Sequence, residues 1–222
     1  MPISLSKNFL FVHIPKTAGS TVHAALRPYC VSRNRTLLRR AVSWLPVKEN
    51  PEKAYIRGHS TSAVFKSKLD PALFQRLHKF AIVRNPYDHA VSSYVFTQSN
   101  THGRRHRDAQ SWSFSDFLSY LEKKDRILPR NQTTWLVNRA GDLQVDRLLF
   151  QEELDNGFAQ LCGFLNIPHE GALPRVNATK RKDYRTYYSA DSKRRVEALY
   201  ARDFDLFGYD FEVGKPVRNP LA

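Results

Sequence analysis

Two short apolar runs limit what this chain can fold into more than any other feature. "NFLFV" lies inside "KNFLFVHI" (Lys7 to Ile14), and "KFAIV" lies inside "KFAIVR" (Lys79 to Arg84). Both are too short for a buried helix. Both are continuous rather than alternating, the pattern of a strand buried on its two faces. Each also runs straight into a polar loop and a helix start. Pro15 ends the first run ahead of "GSTVHAAL" (Gly19 to Leu26), and "NPYDHAVSSYVF" (Asn85 to Phe96) opens on a helix-start proline after the second. "VDRLLF" (Val145 to Phe150) repeats the arrangement ahead of "EELDNGFAQLCGFLN" (Glu152 to Asn166), and "AYIRGHS" (Ala54 to Ser60) reads as a further short strand entering a loop. Strands alternating with helices predict an α/β protein: a three-layer fold with a central parallel β-sheet flanked by helices.

The remaining helices are expected at "LDPALFQRL" (Leu69 to Leu77), "SFSDFLSYLEKK" (Ser113 to Lys124), "NQTTWLVN" (Asn131 to Asn138) and "SADSKRRVEALYARDFDLF" (Ser189 to Phe207), the last ended by Gly208. Ser32 to Lys53 is basic, poorly patterned and read as a surface excursion; Ser99 to Ser111 is read as a mobile polar loop. No repeat and no internal boundary is visible, so residues 1–222 are expected to form a single domain.

Thirty-five Lys and Arg against 21 Asp and Glu give a net charge of +14. Such an excess favours anionic partners: an acidic polysaccharide, a phosphorylated cofactor, nucleic acid or an anionic membrane. Cys30 and Cys162 are in no C-x-x-C context, and whether they pair is open; no Cys/His spacing points to zinc. No apolar run reaches the length of a membrane span, and the first residues lack the layout of a signal peptide, so the sequence reads as soluble and cytoplasmic.

Chemistry concentrates in three places. "HIPKTAGST" (His13 to Thr21) puts a lysine, a glycine and hydroxyls where a strand turns into a helix. Amides of Thr17, Ala18, Gly19, Ser20 and Thr21 can wrap a phosphate at a helix N-terminus, with Lys16 at its edge. The lysine precedes the glycine, the reverse of the order G-x-x-x-x-G-K-[ST] in nucleotide triphosphatases. The plainer reading is a capped turn with a surface lysine. In "VRNPYDHAVSSY" (Val83 to Tyr94), Arg84 leaves a strand's carboxyl end and Ser92 follows two helical turns later, which suits a second phosphate. The plainer reading pairs Arg84 with Asp88 and leaves Ser92 facing solvent. Third, "IRGHS" places His59 at the end of a short strand, as a candidate base or a loop histidine. His13 is second choice as base, and His89 is read as lying on a solvated helix face.

Taken together, these motifs resemble those of sulfotransferases that use 3′-phosphoadenosine 5′-phosphosulfate. "HIPKTAGST" is similar to their 5′-phosphosulfate loop, and "RNPYDHAVSSY" to their 3′-phosphate segment. The wording "HIPKTAG" resembles the carbohydrate, heparan sulfate 2-O-sulfotransferase-like branch. The likeness runs on through "NQTTWL", "VDRLLFQEEL" and "DFDLFGYDF". It implies a P-loop-like fold and a metal-free sulfuryl transfer from that donor to a hydroxyl of a carbohydrate; polysaccharide, glycolipid and small hydroxylated metabolite are all compatible, and the basic loop tilts the reading towards an anionic chain. His59 would be the general base and Lys16 the charge at the leaving oxygen. Thr17 to Thr21 would hold the 5′-phosphate, with Arg84, Ser92, Thr179 and Lys180 on the 3′-phosphate; Arg181 is a further candidate there. Gln132 and Trp135 are candidates for acceptor contact, beside His59. No nucleic-acid partner is expected. With no membrane anchor in the sequence, the family implies a bacterial cytoplasmic enzyme, or else the soluble portion of a Golgi one. Two other classes stay in view: a nucleotide-dependent kinase with a variant P-loop, and a non-catalytic polyanion-binding module.

Overall fold

A computed structural model describes residues 2–32, 36–45, 47–99, 106–123, 131–173 and 181–221. In chain order the elements begin with β1 (Ile3–Ser4), β2 (Phe9–Val12), α1 (Gly19–Leu26), α2 (Leu37–Val42), α3 (Ser62–Lys68), α4 (Pro71–Arg76) and β3 (His78–Val83). They continue with α5 (Pro86–Ser99), α6 (His106–Ala109), α7 (Phe114–Lys123), α8 (Thr133–Leu136), β4 (Arg147–Phe150), α9 (Leu154–Phe164), α10 (Ala190–Leu199) and α11 (Ala201–Phe207). The chain divides into two compact units. One comprises residues 1–83 and 135–176, the other residues 84–134 and 177–220.

The first unit holds the sheet, in the order β1-β2-β3-β4. β2 pairs with β3 and β3 with β4 in parallel, as the apolar runs predict, with Phe11 opposite Phe80 and Ala81 opposite Leu148. β1 adds an antiparallel edge that the sequence did not announce, since it is only two residues long. Phe9 and Phe11 project to one face and meet Phe80, with the Phe11 and Phe80 rings stacked 4.9 Å apart. Val22 and Leu26 of α1 and Phe158, Leu161 and Cys162 of α9 complete that layer. Leu10 and Val12, on the opposite face, are equally buried, so both faces of β2 are covered. Emptying this layer with Phe80→Ala would cost about 3–5 kcal/mol. Because β2, β3 and β4 are parallel, their carboxyl ends share one edge of the sheet, where open α/β sheets bind ligands. Both cysteines are free, Cys162 buried and Cys30 half-buried.

One expectation fails here. Residues 54–60 form no strand; turns and irregular backbone carry Gly58 and His59 to the Thr61 cap of α3. The run has strand-like composition, but it finds no partner to complete a ladder.

The second unit is helical. Tyr87, Ala90, Val91 and Tyr94 of α5 pack with Phe114, Phe117, Leu118 and Leu121 of α7, and with Val196 and Tyr200 at the end of α10. α7 starts at a reciprocal cap: the Asp116 amide donates to Ser113 Oγ, and the Ser113 amide donates to Asp116 Oδ2. The predicted terminal helix is broken at Tyr200 into α10 and α11, and Gly208 ends it in a left-handed conformation, φ 63°. His89 is buried beside Tyr200, not solvated: the expected polar face of α5 is covered by an aromatic layer.

Candidate active site

In the first unit the loop between β2 and α1 is shaped by two residues in the left-handed region, Lys16 at φ 65° and Ala18 at φ 64°. Thr17 lies between them outside that region. Such alternation turns successive amides toward one side of the chain, the geometry of an anion-binding nest. Each left-handed non-glycine residue costs about 1 kcal/mol or more, so the conformation is held by its surroundings. Thr17 is one such hold: it is buried, and its hydroxyl donates to the Ile14 carbonyl at 3.0 Å. α1 begins at Gly19 with no side chain capping its first amides, because Ala18 stands at the cap. A helix start without a side-chain cap presents N–H donors and a positive dipole end to an anion. Ser20 is exposed, Thr21 buried and Lys16 half-buried.

Gly19 is required for closeness rather than for backbone freedom. A Cβ there would lie 2.2 Å from His13 Cδ2 and 2.4 Å from His13 Nε2. His13 therefore lies on the loop glycine, its ring stacked on Phe11 at 5.2 Å and tilted against His59 at 4.4 Å. Burial, followed by the neighbouring His59 and His23, lowers its pKa to about 3, so the ring is neutral.

His59 is exposed, and two links fix it. Its Nδ1 lies 3.0 Å from the His13 carbonyl oxygen. A carbonyl can only accept, so Nδ1 carries the hydrogen and the neutral ring keeps its lone pair on Nε2. Trp135 ties down the backbone, its indole N–H donating to the His59 carbonyl at 3.3 Å. Trp135 is buried, so it offers no stacking face to a sugar; it positions His59 instead. This matches the core reading of Trp135 that its helical spacing also allowed, and acceptor contact by it is an expectation only.

The second unit carries the other predicted cluster. The Arg84 guanidinium grips Asp88, with Nε 2.8 Å from Oδ2, and Arg181 donates to the other oxygen of the same carboxylate. The plainer pairing is therefore present, and it is shared: Arg84 and Arg181 both bond to the one Asp88 carboxylate. All three side chains are largely buried. Ser92 is buried rather than facing solvent. Thr179 and Lys180 lie outside the described residues.

Gln132 lies beside this cluster. It is fully buried, accepting from the Arg84 amide at 2.8 Å and donating to the Arg84 carbonyl at 2.7 Å. Its amide is spent on the backbone of Arg84, so it supports the chain at that residue and offers nothing to an acceptor. Below it, Asp203 takes bonds from the Gln132 and Thr133 amides and from the Thr133 hydroxyl. Asp88 is the partner that the plainer sequence reading gave Arg84; Asp203 was not singled out from the sequence.

The parallel sheet and the anion-shaped turn at the end of β2 define an α/β protein of the P-loop-like kind. The chain belongs to the sulfotransferase family: the model of that family matches residues 3–210. Its fold is similar to that of mouse sulfotransferase SULT7A1, whose crystal structure holds PAP, with a TM-score of 0.58 and 16% identity over 95% of this chain and 88% of that one. No curated protein matches the sequence.

Proposed function

We propose that this sulfotransferase moves a sulfuryl group from 3′-phosphoadenosine 5′-phosphosulfate to a hydroxyl of a carbohydrate, by direct in-line displacement. The observation that carries this reading is the His59 tautomer. A sugar hydroxyl attacks only as its proton leaves, and Nε2 of His59 is a fixed, accessible lone pair that can take it. The oxygen so freed bonds to sulfur while the bond from sulfur to the 5′-phosphate oxygen breaks. Lys16 steadies the charge that grows on that oxygen. Amides from Thr17 to Thr21, with the Ser20 and Thr21 hydroxyls, hold the 5′-phosphate, which fits the alternating backbone and the α1 start without a side-chain cap.

Arg84 and Ser92, with Thr179, Lys180 and Arg181, take the 3′-phosphate. The convergence of Arg84 and Arg181 on one carboxylate supports their acting together at one phosphate. The net charge of +14 favours an anionic carbohydrate as acceptor. The same reading keeps residues 1–222 as one functional domain and places the enzyme in a bacterial cytoplasm.

Labelled donor offered to desulfated and partly sulfated polysaccharides tests the acceptor. His59→Ala tests the base: turnover should fall by about 10²–10⁴, with affinity for adenosine 3′,5′-bisphosphate nearly unchanged. Retained turnover in that variant removes His59 from the mechanism.

A further inference from the structure

Within the first unit, the basic excursion folds into a short helix whose apolar side has no cover. Leu37 is 81% exposed, Leu38 71%, Trp44 74% and Leu45 54%. At 100° per residue these positions, with Ala41 and Val42, occupy one continuous arc, while Arg40 and Ser43 fall outside it. Beyond α2 the chain tightens into turns bonded three residues back, the Trp44 amide to Ala41 O at 3.1 Å and Leu45 to Val42 O at 3.0 Å, and at about 120° per residue these still keep Trp44 and Leu45 on the same side.

The segment is anchored. The buried ammonium of Lys68 donates to the carbonyls of Val42 and Leu45 and pairs with Glu49 at 3.7 Å, and the Glu49 amide bonds back to Lys68 O at 2.8 Å. So the helix is fixed through its last carbonyls, and its leucines are left outward. Arg57 lies over the Trp44 ring at 3.8 Å.

We propose that α2 and the turn after it form an interfacial anchor for an anionic membrane surface. Residues 32–53 hold six basic and two acidic residues, a net +4. An apolar arc with Trp and Leu, set in a basic segment, is the composition of a helix that lies in the headgroup region. The segment is far too short to cross a bilayer, and no described helix is long and apolar enough to do so. A second copy on this face would bring two net +4 segments together, which charge opposes. An acidic polysaccharide would satisfy the arginines and leave the three leucines with nothing to bury them. A lipid surface with anionic headgroups satisfies both. This inference does not rest on the catalytic assignment.

The test is flotation of the intact protein with phosphatidylcholine vesicles, with and without about a quarter phosphatidylserine. Tryptophan emission is read in parallel; of Trp44, Trp112 and Trp135, Trp44 alone is strongly exposed. Binding to the anionic vesicles with a blue shift is expected, weakened by salt and reduced at least about tenfold in Leu37→Ser/Leu38→Ser. These side chains are solvent-exposed, so the variant should fold, and unchanged binding of adenosine 3′,5′-bisphosphate or an unchanged circular dichroism spectrum checks that. Failure to bind vesicles overturns the proposal. So does binding that the double variant leaves unchanged, which would be charge adsorption alone. Self-association that the double variant abolishes, without vesicle binding, assigns the face to a second copy instead.

Discussion

At the scale of single residues, Gly19 and His13 explain why the loop is written as it is. The glycine leaves room for a ring, and that ring's own carbonyl holds the proposed base. Gly19→Ala places a methyl 2.2 Å from His13 Cδ2, where something must shift. Because His13 is packed between Phe11 and His59, we expect a stability loss of about 1–3 kcal/mol in urea unfolding, together with loss of turnover as the acceptor of His59 moves. A fully active, unperturbed Gly19→Ala would contradict this.

His13 also sets an acid limit. Its pKa is lowered in the fold to about 3 from an ordinary 6.5, so between those values the unfolded chain binds the extra proton. The stability contributed by neutral His13 is present above pH 6.5 and is lost as pH falls through that window. His13→Gln should flatten the decline by roughly one proton's worth of slope, measured as unfolding free energy against pH. An unchanged slope would place the titration elsewhere.

At the scale of elements, β2, β3 and β4 were legible to within about two residues because continuous apolar runs have few alternatives. α4 and α7 were legible as the runs "LDPALFQRL" and "SFSDFLSYLEKK", and the fold caps them with Asp70 and Ser113. β1 was not, since two residues carry no pattern and the pairing to Leu10 and Phe9 is tertiary. The break at Tyr200 was hidden for a similar reason: the sequence around it stays helix-forming, and the break belongs to a residue buried in the aromatic core. His59 was found through its motif, but the false strand before it was inferred from composition alone. What holds His59 comes from His13 and Trp135, forty-six and seventy-six residues away.

The burial of Gln132 was not legible, because buried glutamines are uncommon and need partners that only the fold supplies. Its partner Asp203 is a test of that element. The carboxylate is buried, and burial pushes its pKa up to about 6 despite the bonds it accepts from Thr133 and Gln132. Asp203→Ala would strand the Gln132 and Thr133 amides and the Thr133 hydroxyl, and we expect a loss of about 3–5 kcal/mol. A change below about 1 kcal/mol in thermal or urea unfolding would show that water replaces the carboxylate.

At the scale of the whole molecule, the chain belongs to the sulfotransferase family and its fold is similar to that of a sulfotransferase. The central claim is that the motif order in which lysine precedes glycine serves a donor phosphorylated at both ends: a 5′-phosphate on the loop amides and a 3′-phosphate on Arg84 and its neighbours. The most direct measurement is calorimetric titration of the protein with adenosine 3′,5′-bisphosphate and, separately, with AMP, which lacks the 3′-phosphate. The account predicts that the bisphosphate binds at least about tenfold more tightly, the worth of one charge-assisted phosphate contact. It also predicts that Arg84→Ala brings the two affinities together. Equal binding of both nucleotides by the unaltered protein, or no binding of the bisphosphate, would contradict it.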